Sequence, residues 1–192
     1  MKKIIIALVL FSSVLSFSQE STEVQIRQNE LSTNLLDLVA AGSLNITYER
    51  LLKNNQSLIA SATLFDTFAY YDVGYIEKNS AFSLKVAYAI YFSKSKDHAG
   101  FFFYPFLKAR AGEIEVEDYT IYDYNTDSSY TEHSTYDING VAVGFGLGHK
   151  WVFNDKISLS LNGELARTLG NVDDYHLDEL EARFGVNFGF RF

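Results

Sequence analysis

Four histidines, His98, His133, His149 and His176, are the side chains here that titrate nearest neutrality, and no two of them stand at a metal-ligand spacing. His133 beside Ser134, or His176 further on, could pair a base with a hydroxyl nucleophile for acyl chemistry, although adjacency in sequence does not put the two groups within hydrogen-bond reach. Cysteine is absent, which removes disulfides, thiolate zinc sites and thiol nucleophiles together. The stretch from Asp118 to Tyr136 holds five tyrosines and four carboxylates (Asp118, Asp123, Asp127, Glu132) with no lysine or arginine. Such a segment could offer a surface contact site through Tyr119, Tyr122, Asp123, Tyr124, Asp127 and Tyr130, because tyrosine supplies rigid amphipathic area. It could also be a loose calcium site of oxygen ligands. Its acids do not follow the twelve-residue calcium loop, and a solvated hairpin extension is the plainer reading. Gly144, Gly146 and Gly148 alternate on one face of a strand with no helix following, so they form no phosphate loop and instead relieve crowding. No catalytic residue, metal site or cofactor is expected.

What must position these residues begins with an export segment. Lys2 and Lys3 precede an apolar run from Ile4 to Phe17, and Ser16 and Ser18 stand at the small-residue positions of a signal peptide cleaved after Ser18. Serines 12, 13, 16 and 18 interrupt that run too often for a retained membrane helix. Residues 19–30 read as a short polar leader, and residues 31–192 as one domain of ordinary size. Cleavage removes two lysines and takes the formal charge of the 192-residue chain from −8 to −10, which disfavours nucleic acid as a partner.

From Leu31 onward the chain divides into eight strand-length runs, near 31–40, 43–52, 57–70, 80–93, 100–117, 137–153, 156–169 and 180–192, with no helix of useful length between them. From Leu180 to Phe192 every even position is apolar and every odd one is polar or glycine. Successive side chains in a strand point to opposite faces, so this strand has one oily face and one of Glu181, Arg183, Gly185, Asn187, Gly189 and Arg191. The runs around Leu84, Val143 and Leu161 repeat the pattern.

Two architectures produce that alternation. A soluble lipocalin-like barrel turns the oily face inward around an apolar ligand, whereas a membrane barrel turns it toward lipid. Strand length favours the second, since 9 to 11 tilted residues cross a bilayer and most of these runs reach that length. Aromatic placement agrees: Phe92, Phe101 to Phe103, Trp151, Phe153, Phe190 and Phe192 gather at one end of their strands, and Tyr70, Tyr71, Tyr119, Tyr122 and Tyr136 at the other, as two interfacial girdles would. Links after strands two, four and six are short, and those after three, five and seven (71–79, 118–136 and 170–179) are long; only the link near Ala41 and Gly42 breaks the rule.

If the oily face meets lipid, Glu49, Lys85, Lys108, Arg110, Lys150, Glu164, Glu181, Arg183 and Arg191 are enclosed. Losing hydration costs each ion several kcal/mol unless partners restore it, so they should form a network, with Glu164 as its hub. Eight strands leave an interior only wide enough for side chains to fill, so the network is expected to plug the lumen, with an ion-conducting lumen as the alternative.

The chain resembles the small eight-stranded outer-membrane β-barrel proteins of Gram-negative bacteria, particularly the uncharacterised outer membrane β-barrel domain proteins. The resemblance rests on the closing strand FGVNFGFRF, on Leu44 to Leu51 (LNITYERL) with the turn after Lys53, and on Tyr104 to Arg110 (YPFLKAR). It implies an all-β, up-and-down antiparallel transmembrane barrel in the outer membrane, with lipid as its surroundings. It implies that Phe188, Phe190 and Phe192 form the signal read by the barrel-assembly machinery, and that the longest connection is open to an extracellular ligand. Some small barrels of this kind modify lipid A, which gives the pairing of histidine and serine its one enzymatic context. The reading taken forward is a non-catalytic structural or surface-interaction barrel.

Overall fold

The computed structural model describes residues 27–68, 76–93, 98–123, 128–169 and 180–192. The expected signal peptide and most of the polar leader lie outside them. The chain runs β1 (Asn29–Asn34), α1 (Leu35–Ala40), β2 (Leu44–Leu52), β3 (Gln56–Leu64), β4 (Ile76–Asn79), β5 (Phe82–Tyr91), β6 (Gly100–Ala111), β7 (Glu113–Asp123), β8 (Ser128–Asp137), β9 (Gly140–Phe153), β10 (Ile157–Leu169) and β11 (Leu180–Arg191). Eight of these strands close an antiparallel barrel in the order β1-β11-β10-β9-β6-β5-β3-β2, and β4, β7 and β8 form a separate three-stranded sheet. Every neighbouring barrel pair but β1 and β11 is also consecutive within the barrel, which is the up-and-down arrangement.

The first strand departs most from expectation. It starts at Asn29, inside the supposed leader, and stops at Asn34, where the chain turns into α1. Asn34 is the reason: its side-chain oxygen accepts from the Leu36 amide at 3.0 Å, capping a helix that period-two reading of Leu35 to Val39 cannot reveal. The first connection therefore spans 35–43, and the apparent exception near Ala41 and Gly42 disappears. The described short turns lie on the rim shared with Asn29 and Phe192, and the strands joined by longer connections end on the other.

The fifth run also breaks early. Gly112, at φ +136°, separates β6 from β7, with its Cα face so close to the Ala81 backbone that a Cβ would lie 2.4 Å from Ala81 Cα. Residues 113–137 are consequently a hairpin rather than a strand end followed by a loop, and β4 pairs with β7 along its edge. Ala81, Ile114, Val116 and Ile138 form a small buried core beneath this hairpin, joined by Phe65 and Tyr136.

The wall is inverted in polarity. Leu84, Val86, Leu107, Val143, Phe145, Leu147, Leu161, Leu165, Phe184 and Phe188 are exposed on the outer surface, while Glu30, Glu49, Lys108, Lys150, Glu164 and Arg191 are buried inside. A lipocalin-like binder needs the reverse, and that alternative is overturned. Phe92, Phe101, Trp151, Phe153, Phe190 and Phe192 stand exposed around the short-turn rim. Phe102 is a correction to that girdle: it is buried, stacked between Tyr91 and Tyr104 with ring centroids 5.2 and 5.5 Å away. The tyrosine girdle is corrected too. Tyr70 and Tyr71 lie outside the described residues, and Tyr122 and Tyr136 belong to the hairpin sheet.

One side of the interior is filled by the rings of Tyr91, Phe102, Tyr104 and Phe106, and the glycines make room for them. Phe102, Tyr104 and Phe106 of β6 are registered against Gly148, Gly146 and Gly144 of β9. A Cβ on Gly146 would lie 2.2 Å from Tyr104 Cζ, and one on Gly144 would lie 2.5 Å from Phe106 Cζ. Gly146→Ala is expected to destabilise the barrel by about 1–3 kcal/mol through overpacking, read as a lower urea midpoint at unchanged denaturant slope.

Candidate functional site

The enclosed ions divide into three tiers along the barrel. At the short-turn end, Lys150 Nζ donates to Glu30 Oε1 at 2.9 Å and to Glu49 Oε2 at 2.5 Å. Arg191 Nε donates to Glu30 Oε2 at 2.8 Å, and Arg191 Nη2 to the His98 carbonyl at 2.9 Å. Glu49 also accepts from Ser57 Oγ at 2.6 Å and from the Tyr91 hydroxyl at 2.5 Å, and Glu30 from Ser158 Oγ at 2.7 Å. Seven of the eight barrel strands, β6 excepted, contribute a side chain to this tier, so it links those strands across the interior.

In the middle tier Glu164 accepts from Lys85 and from the Tyr104 hydroxyl, the latter at 2.9 Å. Asn162 Nδ2 donates to Tyr104 at 2.8 Å, and Asn187 Nδ2 to Asn162 at 2.6 Å. The Lys85 ammonium lies 5.7 and 5.4 Å from the Tyr104 and Phe106 ring centroids, a position where the ring faces assist the carboxylate. At the long-connection end Glu181 Oε2 takes Lys108 Nζ at 2.5 Å and Arg110 Nη2 at 2.6 Å, and Arg183 pairs with Asp37.

All nine charged residues singled out by strand parity are on the inner face, but their partners differ from the anticipated ones. Ion pairs branch at Lys150, Glu30 and Glu181 rather than at Glu164, which bonds one cation. Two inner carboxylates, Glu30 and Asp37, are absent from the sequence-based set; one hid in the polar leader and the other in α1. Among the described residues these pairs join Lys85, Lys108, Arg110, Lys150, Arg183 and Arg191 to Glu30, Asp37, Glu49, Glu164 and Glu181.

Opposite the rings, short polar side chains such as Asn45, Thr47, Ser61, Thr63 and Ser160 line a cavity of about 60 Å³. It is a polar hollow beside the ring column in the interior described.

The remaining candidates are dispersed. Tyr122 and Tyr130 are exposed on β7 and β8, Tyr124 and Asp127 lie outside the described residues, and for Tyr119 and Asp123 the structure describes the backbone alone. Phe188 and Phe190 are exposed on the outer face of β11, and Phe192 follows it. His133 and Ser134 are consecutive on β8, so their side chains leave opposite faces of the hairpin and do not form a nucleophile and base together. His176 lies outside the described residues. His149 faces outward with its ring 4.5 Å from that of Trp151, and His98 Nε2 lies 2.7 Å from the Leu52 carbonyl at the short-turn rim.

These features define a closed eight-stranded barrel of inverted polarity with ion pairs in its interior. The chain belongs to the family described as protein of unknown function (DUF3575), whose model matches residues 5–184. No curated protein matches it. Among solved structures, it is similar to the N-terminal β-barrel domain of Pseudomonas aeruginosa OprF, with 14% identity, 85% of this chain and 95% of that chain covered, and a TM-score of 0.43. It is also similar to Ail, the attachment invasion locus protein of Yersinia pestis solved in complex with the heparin analogue sucrose octasulfate, with 14% identity, coverage of 85% and 94%, and a TM-score of 0.40.

Proposed function

We propose that the mature chain sits in the outer membrane of a Gram-negative bacterium as a non-catalytic barrel with a structural or surface-interaction role. The observation that carries this reading is the inversion itself. Water would have to solvate a continuous shell of Leu, Val and Phe side chains while Glu30, Glu49 and Lys150 sit inside without it. Exposed apolar patches of soluble monomers rarely exceed a few hundred Å², whereas hydrocarbon needs such a shell and a wall without open edges. Short turns then face the periplasm, and the β4-β7-β8 sheet projects to the outside, where its acidic, tyrosine-bearing hairpin is available to a partner. Phe188, Phe190 and Phe192 would present the assembly signal on the strand that closes the ring.

Cell fractionation tests the reading. The protein should pellet with the outer membrane, resist salt and carbonate extraction, dissolve with detergent, and migrate differently in gels before and after boiling. Recovery in the soluble periplasmic fraction would sink it.

A further inference from the structure

The short-turn rim carries cations without counter-ions. Arg27, Arg50, Lys53 and Lys156 belong to it, and none of the four forms an ion pair among the described residues, whereas every cation of the inner tiers has a carboxylate. Asp155, in the turn before β10, is the one exposed carboxylate of that rim among the described residues. The hairpin sheet at the other end instead exposes Glu113, Glu117, Glu132 and Asp137.

Arg50 is the most firmly placed of the four. It follows Ile46 and Tyr48 on the outer face of β2, since Asn45, Glu49 and Leu51 alternate inward. Its guanidinium is held by neutral groups: Nη1 donates to Asn29 Oδ1 at 2.7 Å and Nη2 to Gln28 Oε1 at 2.6 Å, while the Tyr48 hydroxyl donates to the same Asn29 oxygen at 2.8 Å. Asn29 is fixed in turn by its paired backbone hydrogen bonds with Phe192, at 3.1 and 2.9 Å. The charge is thus oriented but not neutralised, and a guanidinium has further N–H donors beyond those two.

A trough leads from this charge toward the middle of the wall. Ala60 and Ala62 are exposed on the outer face of β3, in register with Tyr48 and Ile46 of β2 on one side and with Val86 and Leu84 of β5 on the other. The four flanking side chains are exposed, and the strands that carry them stand two strand spacings apart, about 10 Å, over a floor of methyl groups. Arg50 and Leu58 stand at its rim end, and Lys53 follows in the turn.

We infer that the short-turn rim holds an anionic phospholipid, with its phosphodiester on Arg50 and Lys53 and one acyl chain in the trough over Ala60 and Ala62. The neutral partners of Arg50 leave its charge for a phosphate, which a guanidinium meets with paired N–H donors. A zwitterionic headgroup brings its own ammonium to the same place and gains less. This inference rests on the wall lying in a bilayer.

Trp151 is the chain's single tryptophan, so Trp151→Phe with Val86→Trp puts one reporter on the bank of the trough. Trp151→Phe with Leu161→Trp puts one at matching depth on β10, across the ring of strands. The probes are phosphatidylglycerol and phosphatidylcholine with brominated acyl chains, each mixed into phosphatidylcholine vesicles. Quenching at position 86 should favour phosphatidylglycerol about tenfold, and quenching at 161 should not discriminate. Arg50→Gln should cut that preference about fivefold, as should Lys53→Gln in its exposed turn if the first variant does not fold. Arg50→Lys should keep it, Ala60→Phe should lower it by filling the trough, and millimolar inorganic phosphate should leave it in place. No preference at 86, or an equal preference at both reporters, would overturn the site. So would a preference unmoved by both glutamine variants, unmoved by Ala60→Phe, or abolished by inorganic phosphate. Absence of quenching at both reporters by either lipid would overturn the bilayer reading instead.

Discussion

Lys150→Met should abolish the folded barrel under conditions where the parent chain is stable, or lower its unfolding free energy by about 3–5 kcal/mol, because it strands Glu30 and Glu49 without their shared cation. Both carboxylates are almost wholly enclosed, at 2% and 4% exposure. Arg191 would still serve Glu30, and Ser57 and Tyr91 would still donate to Glu49, but Glu49 would keep no cation. The measurement is urea unfolding of the detergent-folded protein, followed by gel mobility before boiling. Adding Glu49→Gln to Lys150→Met should restore much of the loss, since a neutral amide tolerates the cavity without a counter-ion. A single variant as stable as the parent would show that these links across the interior do not hold the barrel.

Leu147→Lys should cost about 2–4 kcal/mol in a bilayer, and Phe153→Lys no more than about 1 kcal/mol, because the penalty for a lipid-facing cation falls from midplane to interface. Leu147 lies midway along the outer face of β9 and Phe153 at the short-turn end, and both are exposed. In water the two substitutions would be alike, each within about 0.5 kcal/mol of the parent, as exposed sites usually are. Unfolding from lipid vesicles measures the difference. Equal costs at the two depths would remove the bilayer from the description.

Period-two alternation carried most of what could be read from sequence. It assigned the inner face of β5, β6, β9, β10 and β11 because each is long enough for parity to be unambiguous. β1 has six residues, and its last one caps a helix, so the pattern that would have exposed Glu30 is too short to recognise. Depth was the second limit. Lys85 and Lys108 are registered opposite each other, yet their side chains diverge to Glu164 and Glu181. Partners across a barrel depend on strand tilt and stagger, which no single strand encodes. Phe102 was misassigned for a simpler cause: in a run of three phenylalanines, position along the strand suggested a girdle, whereas alternation places the middle ring inside. The hairpin boundary at Gly112 depends on a positive φ and a close backbone approach, both properties of a fold rather than of a composition.

The glycine column of β9 has a consequence for what could be made from this scaffold. Three inner positions there carry no side chain at all, so the bulk blocking that side of the bore comes from β6 alone. Tyr104 stands between Phe102 and Phe106 in that column and donates to Glu164, so widening that side of the bore would alter the middle charge tier along with the packing.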